Sequence, residues 1–159
     1  LIEKGVVTNA RKPIDRGVTV TGLAIGDEKF YGYAHRNPSV RLAAPDYTHA
    51  LSVLAQLPDF VSVNSAVEVD LLGRVNAEVA GGHYVGGVGG AMDFIRGAAA
   101  APGGRAIIAL PSVSRDGKAS RIVAACATVT TPASHACLAG IRSRTSPASR
   151  LTGTDARYR

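Results

Sequence analysis

Residues 91–111 confine the chain to few architectures. The segment AMDFIRGAAAA repeats Met92, Ile95 and Ala99 at helical spacing, and after a Pro-Gly-Gly turn the chain enters RAIIALPS, a short continuous apolar run. An apolar run of that length, bounded by turn residues, reads as a strand covered on both faces. A strand that needs cover on both faces and is delivered by a helix belongs to the α/β class.

The other segments fill in that class. GVTVTGLAIG (17–26) alternates valine with threonine between glycines and reads as a strand, and DEKFYGYAH as a second one. DYTHALSVLAQL places Leu51, Leu54 and Ala55 at helical spacing and stops before Pro58, which predicts one helix. FVSVNSAVEVDLLGRVNAEVAGG alternates with a break at Gly73 and Arg74, the pattern of a hairpin or two consecutive strands, and SRIVAA reads as one more strand. The expectation is an open α/β sheet of mixed strand direction with flanking helices. LIEKG reads as the last turn of a helix ending at Gly5, so the chain is expected to begin inside a larger protein.

A chain of 159 residues suffices for one domain, which at this size buries roughly 70% of its unfolded surface. The domain is expected over residues 1–132. From residue 133 to 159 Ala, Ser, Arg and Thr dominate without apolar periodicity, and this tail is expected to be poorly ordered. The net charge of +6 is uneven: residues 1–132 carry 13 Lys and Arg against 11 Asp and Glu, residues 133–159 five Arg against one Asp. The body therefore lacks the basic, aromatic-lined groove that single-stranded nucleic acid requires. An arginine-rich tail alone would give affinity that falls steeply with salt. Cys126 and Cys137 match neither a disulfide framework nor a metal signature. No apolar run approaches the roughly 18 residues of a membrane span, and a cytoplasmic location is expected.

GGHYVGGVGGAMDFIRGA (81–98) holds seven glycines in eighteen positions. A dinucleotide fingerprint starting at Gly87 would need glycine where Met92 stands, and no Gly-Lys-Ser/Thr follows for a phosphate loop. The physical logic survives the failed motifs. Glycines at 86, 87, 89 and 90 leave a wall free of Cβ atoms, and a helix starting near Ala91 offers unpaired N–H groups to an anion or an oxyanion. The alternative is a tight turn in which backbone packs on backbone.

Taken together, EKGVVTNARK, VSVNSAVEVDLLGRVNAEVAGG, GGVGGAMDFIRGA, PGGRAIIALPS and SRIV resemble the C-terminal half of the acetyl-CoA hydrolase/transferase family, from Leu1 to about Pro132. That family includes acetate and 4-hydroxybutyrate CoA-transferases. The resemblance implies a CoA-transferase-like fold, coenzyme A as substrate with no tightly bound cofactor or metal, and an acyl-CoA and a small carboxylic acid as partners. It implies that a glutamate attacks the thioester and passes through an acyl-glutamyl anhydride to a glutamyl-CoA thioester, from which an acid or water takes over. Gly87, Val88, Gly89 and Gly90 correspond to the loop against the thioester, with Gly90 as a backbone donor. His49 stands where related enzymes use an asparagine as a second oxyanion contact.

The family's glutamate lies in a segment upstream of the LIEKG equivalent, so no catalytic residue is assigned within this chain. An N-terminal domain of the same protein is expected to complete the site, and a homodimer is compatible with the resemblance. Glu68 is a tempting substitute, but its alternation with Val67 and Val69 fits a strand carboxylate in a structural hydrogen bond. Asn64, Asn76 and Ser112 belong to family motifs that packing and turns explain equally well. A reading from another class is a non-catalytic CoA- or nucleotide-binding remnant.

Overall fold

The computed structural model describes residues 1–87, 89–130 and 137–142, the last as backbone only. The chain folds as two compact units, Leu1–Phe60 with Arg96–Gly104, and Val61–Ile95 with the residues from Arg105 onward.

The first unit opens on a turn in which Gly5 N donates to Ile2 O (2.8 Å) and Val6 N to Leu1 O (3.1 Å), with Gly5 at φ +67°. This is the bonding that closes a helix C-terminus, as LIEKG predicts. Strand β1 (Thr19–Thr21) pairs in parallel with β2 (Val40–Leu42). Between them DEKFYGYAH is a helix rather than the expected strand: α1 (Glu28–Ala34) is capped by Asp27, whose Oδ1 accepts from Phe30 N at 2.9 Å. The aromatic alternation suggests a strand, but the Asp-Glu cap decides. The single helix expected after Pro45 is two short ones, α2 (Pro45–Thr48) and α3 (Leu51–Leu54), because Ala50 is extended and serves as the N-cap of α3.

The second unit holds β3 (Val61–Asn64), β4 (Glu68–Asp70), β5 (Val75–Asn76), β6 (Val79–Ala80), β7 (His83–Tyr84), β8 (Arg105–Pro111), β9 (Ile122–Val123) and β10 (Cys137–Arg142), and the helix α4 (Ala91–Ala100) starts in it and passes into the first unit after Ile95. β8 lies between β10 and β3, parallel to both. β4 and β5 form the expected hairpin, turned at Gly73 (φ +80°), and β4 also pairs in parallel with β9. β6 and β7 are joined by Gly81 and Gly82, both left-handed at φ +57° and +81°. Two consecutive left-handed residues make the tight turn whose twist suits a hairpin. The chain is thus mixed α/β, as expected, with its strands divided among several small sheets.

Ala106, Ile108 and Leu110 of β8 are buried on one face, and Val69, Val75 and Ile95 are almost fully buried in the same unit. In the first unit Leu54, Ala98 and Ala101 are buried. A Cβ on Gly97 would lie 2.6 Å from the Leu54 side chain, so this glycine permits close packing of α4. Of the expected tail, most residues lie outside those described; within it Cys137–Arg142 is a strand beside β8. Among the described residues no helix is long and apolar enough to cross a membrane.

Candidate functional site

The seven glycines of residues 81–98 separate into three roles. Gly81 and Gly82 make the β6–β7 turn, and Gly97 packs on Leu54. The remaining four lie between β7 and α4. A Cβ built on Gly86 or Gly87 would meet nothing within 4 Å, and one on Gly89 would only graze Gly87 O at 4.0 Å, although Gly89 itself is left-handed at φ +57°. Residues 85–87 and Gly89 are exposed. At Gly86 and Gly87, then, no described residue comes close enough to require the missing side chain. Val88 lies outside the described residues.

Gly90 begins the helix: its carbonyl accepts from Asp93 N and Phe94 N, each at 3.2 Å. Among the described residues no hydrogen bond engages the N–H groups of Gly89, Gly90 or Ala91. Exposed, Cβ-free backbone followed by the N–H groups of Gly89, Gly90 and Ala91, which have no partner among the described residues, at the positive end of a ten-residue helix can receive an anionic or developing anionic oxygen. Asp93 adds a carboxylate to the first turn and tempers that field.

His49 is in the other unit. It is the C-cap residue of α2, its N–H donates to Pro45 O at 2.9 Å, and its Nδ1 lies 2.8 Å from Thr48 Oγ1. That contact fixes the ring's rotation, leaving Nε2 as the nitrogen directed away from Thr48. His35 caps α1, and His83 is exposed in β7.

Glu68 is a structural carboxylate, as its strand position suggests: Oε1 accepts from Asn76 Nδ2 (2.9 Å) and Ala127 N (2.7 Å). Around it lies a network that the sequence alone does not reveal. Asn76 is fully buried and bonds at both ends, to Glu68 and Val79 O through Nδ2 and to Glu78 N and Val79 N through Oδ1. The buried Asp70 accepts from Leu72 N, Arg74 N, Arg74 Nε (2.7 Å) and Cys126 N. Burial pushes its pKa up, but the bonds from Arg74, Cys126 and Leu72 outweigh this and hold it below the ordinary carboxylate range. Glu78 accepts from Thr130 Oγ1 at 2.9 Å. The Cys126 thiol is free, and burial next to Asp70 and Glu68 raises its pKa, which makes it a poor nucleophile. The signal for this network is the run of acidic and amide residues at 68, 70, 76 and 78 within an otherwise apolar alternation.

Strand β3 inverts the usual pattern. Val61 and Val63 are exposed, whereas Ser62 Oγ and Asn64 Nδ2 are buried with no hydrogen-bond partner among the described residues. The Ser112 carbonyl accepts from Arg121 N. An open apolar depression of about 500 Å³ lies in the first unit against Leu1, Ile2, Val7, Phe30 and Tyr33, and no residue anticipated from the sequence lines it. Among the described residues no cluster of His, Cys, Asp and Glu could hold a metal ion.

Residues 26–138 match the acetyl-CoA hydrolase/transferase C-terminal domain family. The chain is 42% identical over 122 residues to a 4-hydroxybutyrate coenzyme A transferase of Clostridium kluyveri, covering 77% of this chain and 28% of that protein. It is 36% identical over 116 residues to a butyryl-CoA:acetate CoA-transferase of Anaerostipes caccae, covering 73% and 26%. Among solved structures, RipA from Yersinia pestis superposes with a TM-score of 0.78 at 41% identity, over 86% of this chain and 31% of that one. A 4-hydroxybutyrate CoA-transferase from Porphyromonas gingivalis does so with a TM-score of 0.70 at 30% identity, over 85% and 30%. The chain spans between a quarter and a third of the length of these relatives.

Proposed function

Because the chain belongs to the acetyl-CoA hydrolase/transferase C-terminal domain family, we propose that it supplies the CoA-facing wall of an enzyme that moves CoA between an acyl-CoA and a carboxylic acid, or hydrolyses the thioester. The glycine loop lies against the thioester, and the N–H groups near Gly90 stabilise the oxyanion that forms at each tetrahedral step. The observation that supports this reading is the chemistry of Gly86 and Gly87, Cβ-free positions that the packing of the described residues does not require. A bound pantetheine arm or thioester supplies the missing reason.

The covalent steps need a carboxylate nucleophile. A glutamate attacks the acyl carbonyl and expels CoA thiolate; the thiolate then attacks the glutamyl carbonyl and releases the first acid, leaving glutamyl-CoA for the acceptor. The four glutamates of this chain fit other tasks. Glu68 and Glu78 accept structural hydrogen bonds, Glu3 pairs with Lys29, and Glu28 begins α1. On this reading the nucleophile belongs to a part of the enzyme outside these 159 residues, as the family resemblance implies.

Calorimetric titration with CoA tests the wall directly. The chain should bind CoA, and Gly86→Val with Gly87→Val should weaken binding about tenfold or more, equivalent to about 1.4 kcal/mol. Equal affinity of the variant and the unaltered chain would refute the assignment. Incubated with acetyl-CoA and acetate and then treated with borohydride, the chain alone should show no glutamyl-CoA adduct by mass spectrometry. An adduct on Glu68 would overturn its structural role.

A further inference from the structure

The helix that carries His49 has little to hold it in place by itself. α2 has four residues, its N-cap Ala44 offers no side-chain bond, and none of its residues is buried. A single turn is far below the length at which a helix is stable alone. What fixes it is a carboxylate from a distant loop: Tyr47 Oη donates to Asp15 Oδ2 at 2.6 Å, while Arg41 Nη1 on β2 donates to Asp15 Oδ1 at 2.8 Å. The Arg41 guanidinium lies 4.5 Å from the centre of the Tyr47 ring, so the three side chains brace one another.

The loop that presents Asp15 is itself staked down. Asn9 Nδ2 donates to Thr19 Oγ1 (2.9 Å), Lys12 Nζ to Val18 O (2.6 Å), Arg16 Nε to Ala10 O (2.9 Å) and Gly17 N to Asn9 O (3.0 Å). Asn9 and Asp15 are left-handed, at φ +55° and +47°, a conformation that costs non-glycine residues energy. Asp15 is only 15% exposed, although it lies in a surface loop. Its hydrogen bond from Tyr47, with Arg41 and Lys12 nearby, holds it below the usual carboxylate range and raises the Tyr47 phenol. A strained loop that delivers one ionised carboxylate to the base of a single-turn helix has a task beyond closing a turn.

We propose that Asp15, through Tyr47 and Arg41, is the positioning residue that sets where α2 holds the His49 imidazole. The inference rests on the reading of His49 as a contact to bound CoA thioester. Asp15 touches no substrate itself; it acts by fixing the residue two positions before His49.

Two measurements on the whole chain test it. In a double-mutant cycle of CoA binding, Tyr47→Phe should weaken affinity about threefold to tenfold, the scale of one lost hydrogen bond, and should have no further effect once His49→Ala is present. Equal losses in both backgrounds would mark a purely structural role and overturn the proposal, as would no loss at all. Separately and without ligand, the ring ¹⁵N signals of His49 should shift and broaden in Asp15→Asn and Tyr47→Phe while those of His35 and His83 stay in place. Unmoved His49 signals would overturn the brace whatever CoA does. Failure of the unaltered chain to bind CoA would refute the CoA reading alone, and the ring signals would still decide the brace.

Discussion

Replacing single glycines of residues 81–98 should separate folding from binding. Gly97→Ala drives a methyl group into Leu54 and should destabilise the chain by about 1–3 kcal/mol, read as a lower thermal midpoint. Gly86→Ala and Gly87→Ala meet no described residue, so their stability should stay within about 0.5 kcal/mol of the original while CoA affinity falls. A drop in stability at 86 or 87 equal to that at 97 would return the loop to a packing role. The sequence shows that these glycines are concentrated, but it cannot tell them apart. A dihedral at Gly82, a clash at Gly97 and open space at Gly87 depend on neighbours that the local string does not contain. His49 is legible as a position through the resemblance, whereas the Asp15 brace, 34 residues upstream, is not.

Elements defined by strong local chemistry are readable in the sequence. The β4–β5 hairpin with Gly73, α4 and β8 lie where the patterns place them, because each satisfies its own periodicity. α1 escapes such a reading because Phe30, Tyr31 and Tyr33 around Gly32 mimic a strand, and the expected long helix breaks at Ala50, where the backbone is extended. The carboxylate network is hidden for another reason: Glu68 bonds Ala127 and Glu78 bonds Thr130, partners more than fifty residues away. That network makes the hairpin sensitive to acid. Asp70 has its folded pKa depressed, so its contribution is complete above the unfolded value near 4 and is lost as pH falls through the lower folded value. Acid unfolding followed by circular dichroism below about pH 4 should therefore be steeper in the original chain than in Asp70→Asn. The variant should also melt several degrees lower at neutral pH, since the Arg74 guanidinium and three backbone N–H donors lose their anionic acceptor.

Across the whole molecule, a ligand that binds only the folded chain stabilises it by mass action. CoA at about one hundred times its dissociation constant should add about 2.7 kcal/mol, or roughly 5–10 °C in thermal midpoint for a chain of this size. Pantetheine should give part of that shift if the glycine loop is the main contact, and no shift with either compound would count against the proposed wall. The sequence conveys the class, mixed α/β, but not the division into two units, because that division does not follow the order of the chain. The first unit is assembled from residues 1–60 and 96–104, and the second begins at 61, is interrupted after 95 and resumes at 105. In practical terms, no single cut releases either unit intact. A fragment ending at residue 95 would carry β3 without its neighbour β8, and one starting at 61 would carry Gly97 without the Leu54 it packs against. Gene fusions, proteolytic trimming and expression boundaries drawn inside residues 1–110 should therefore yield insoluble or unfolded pieces.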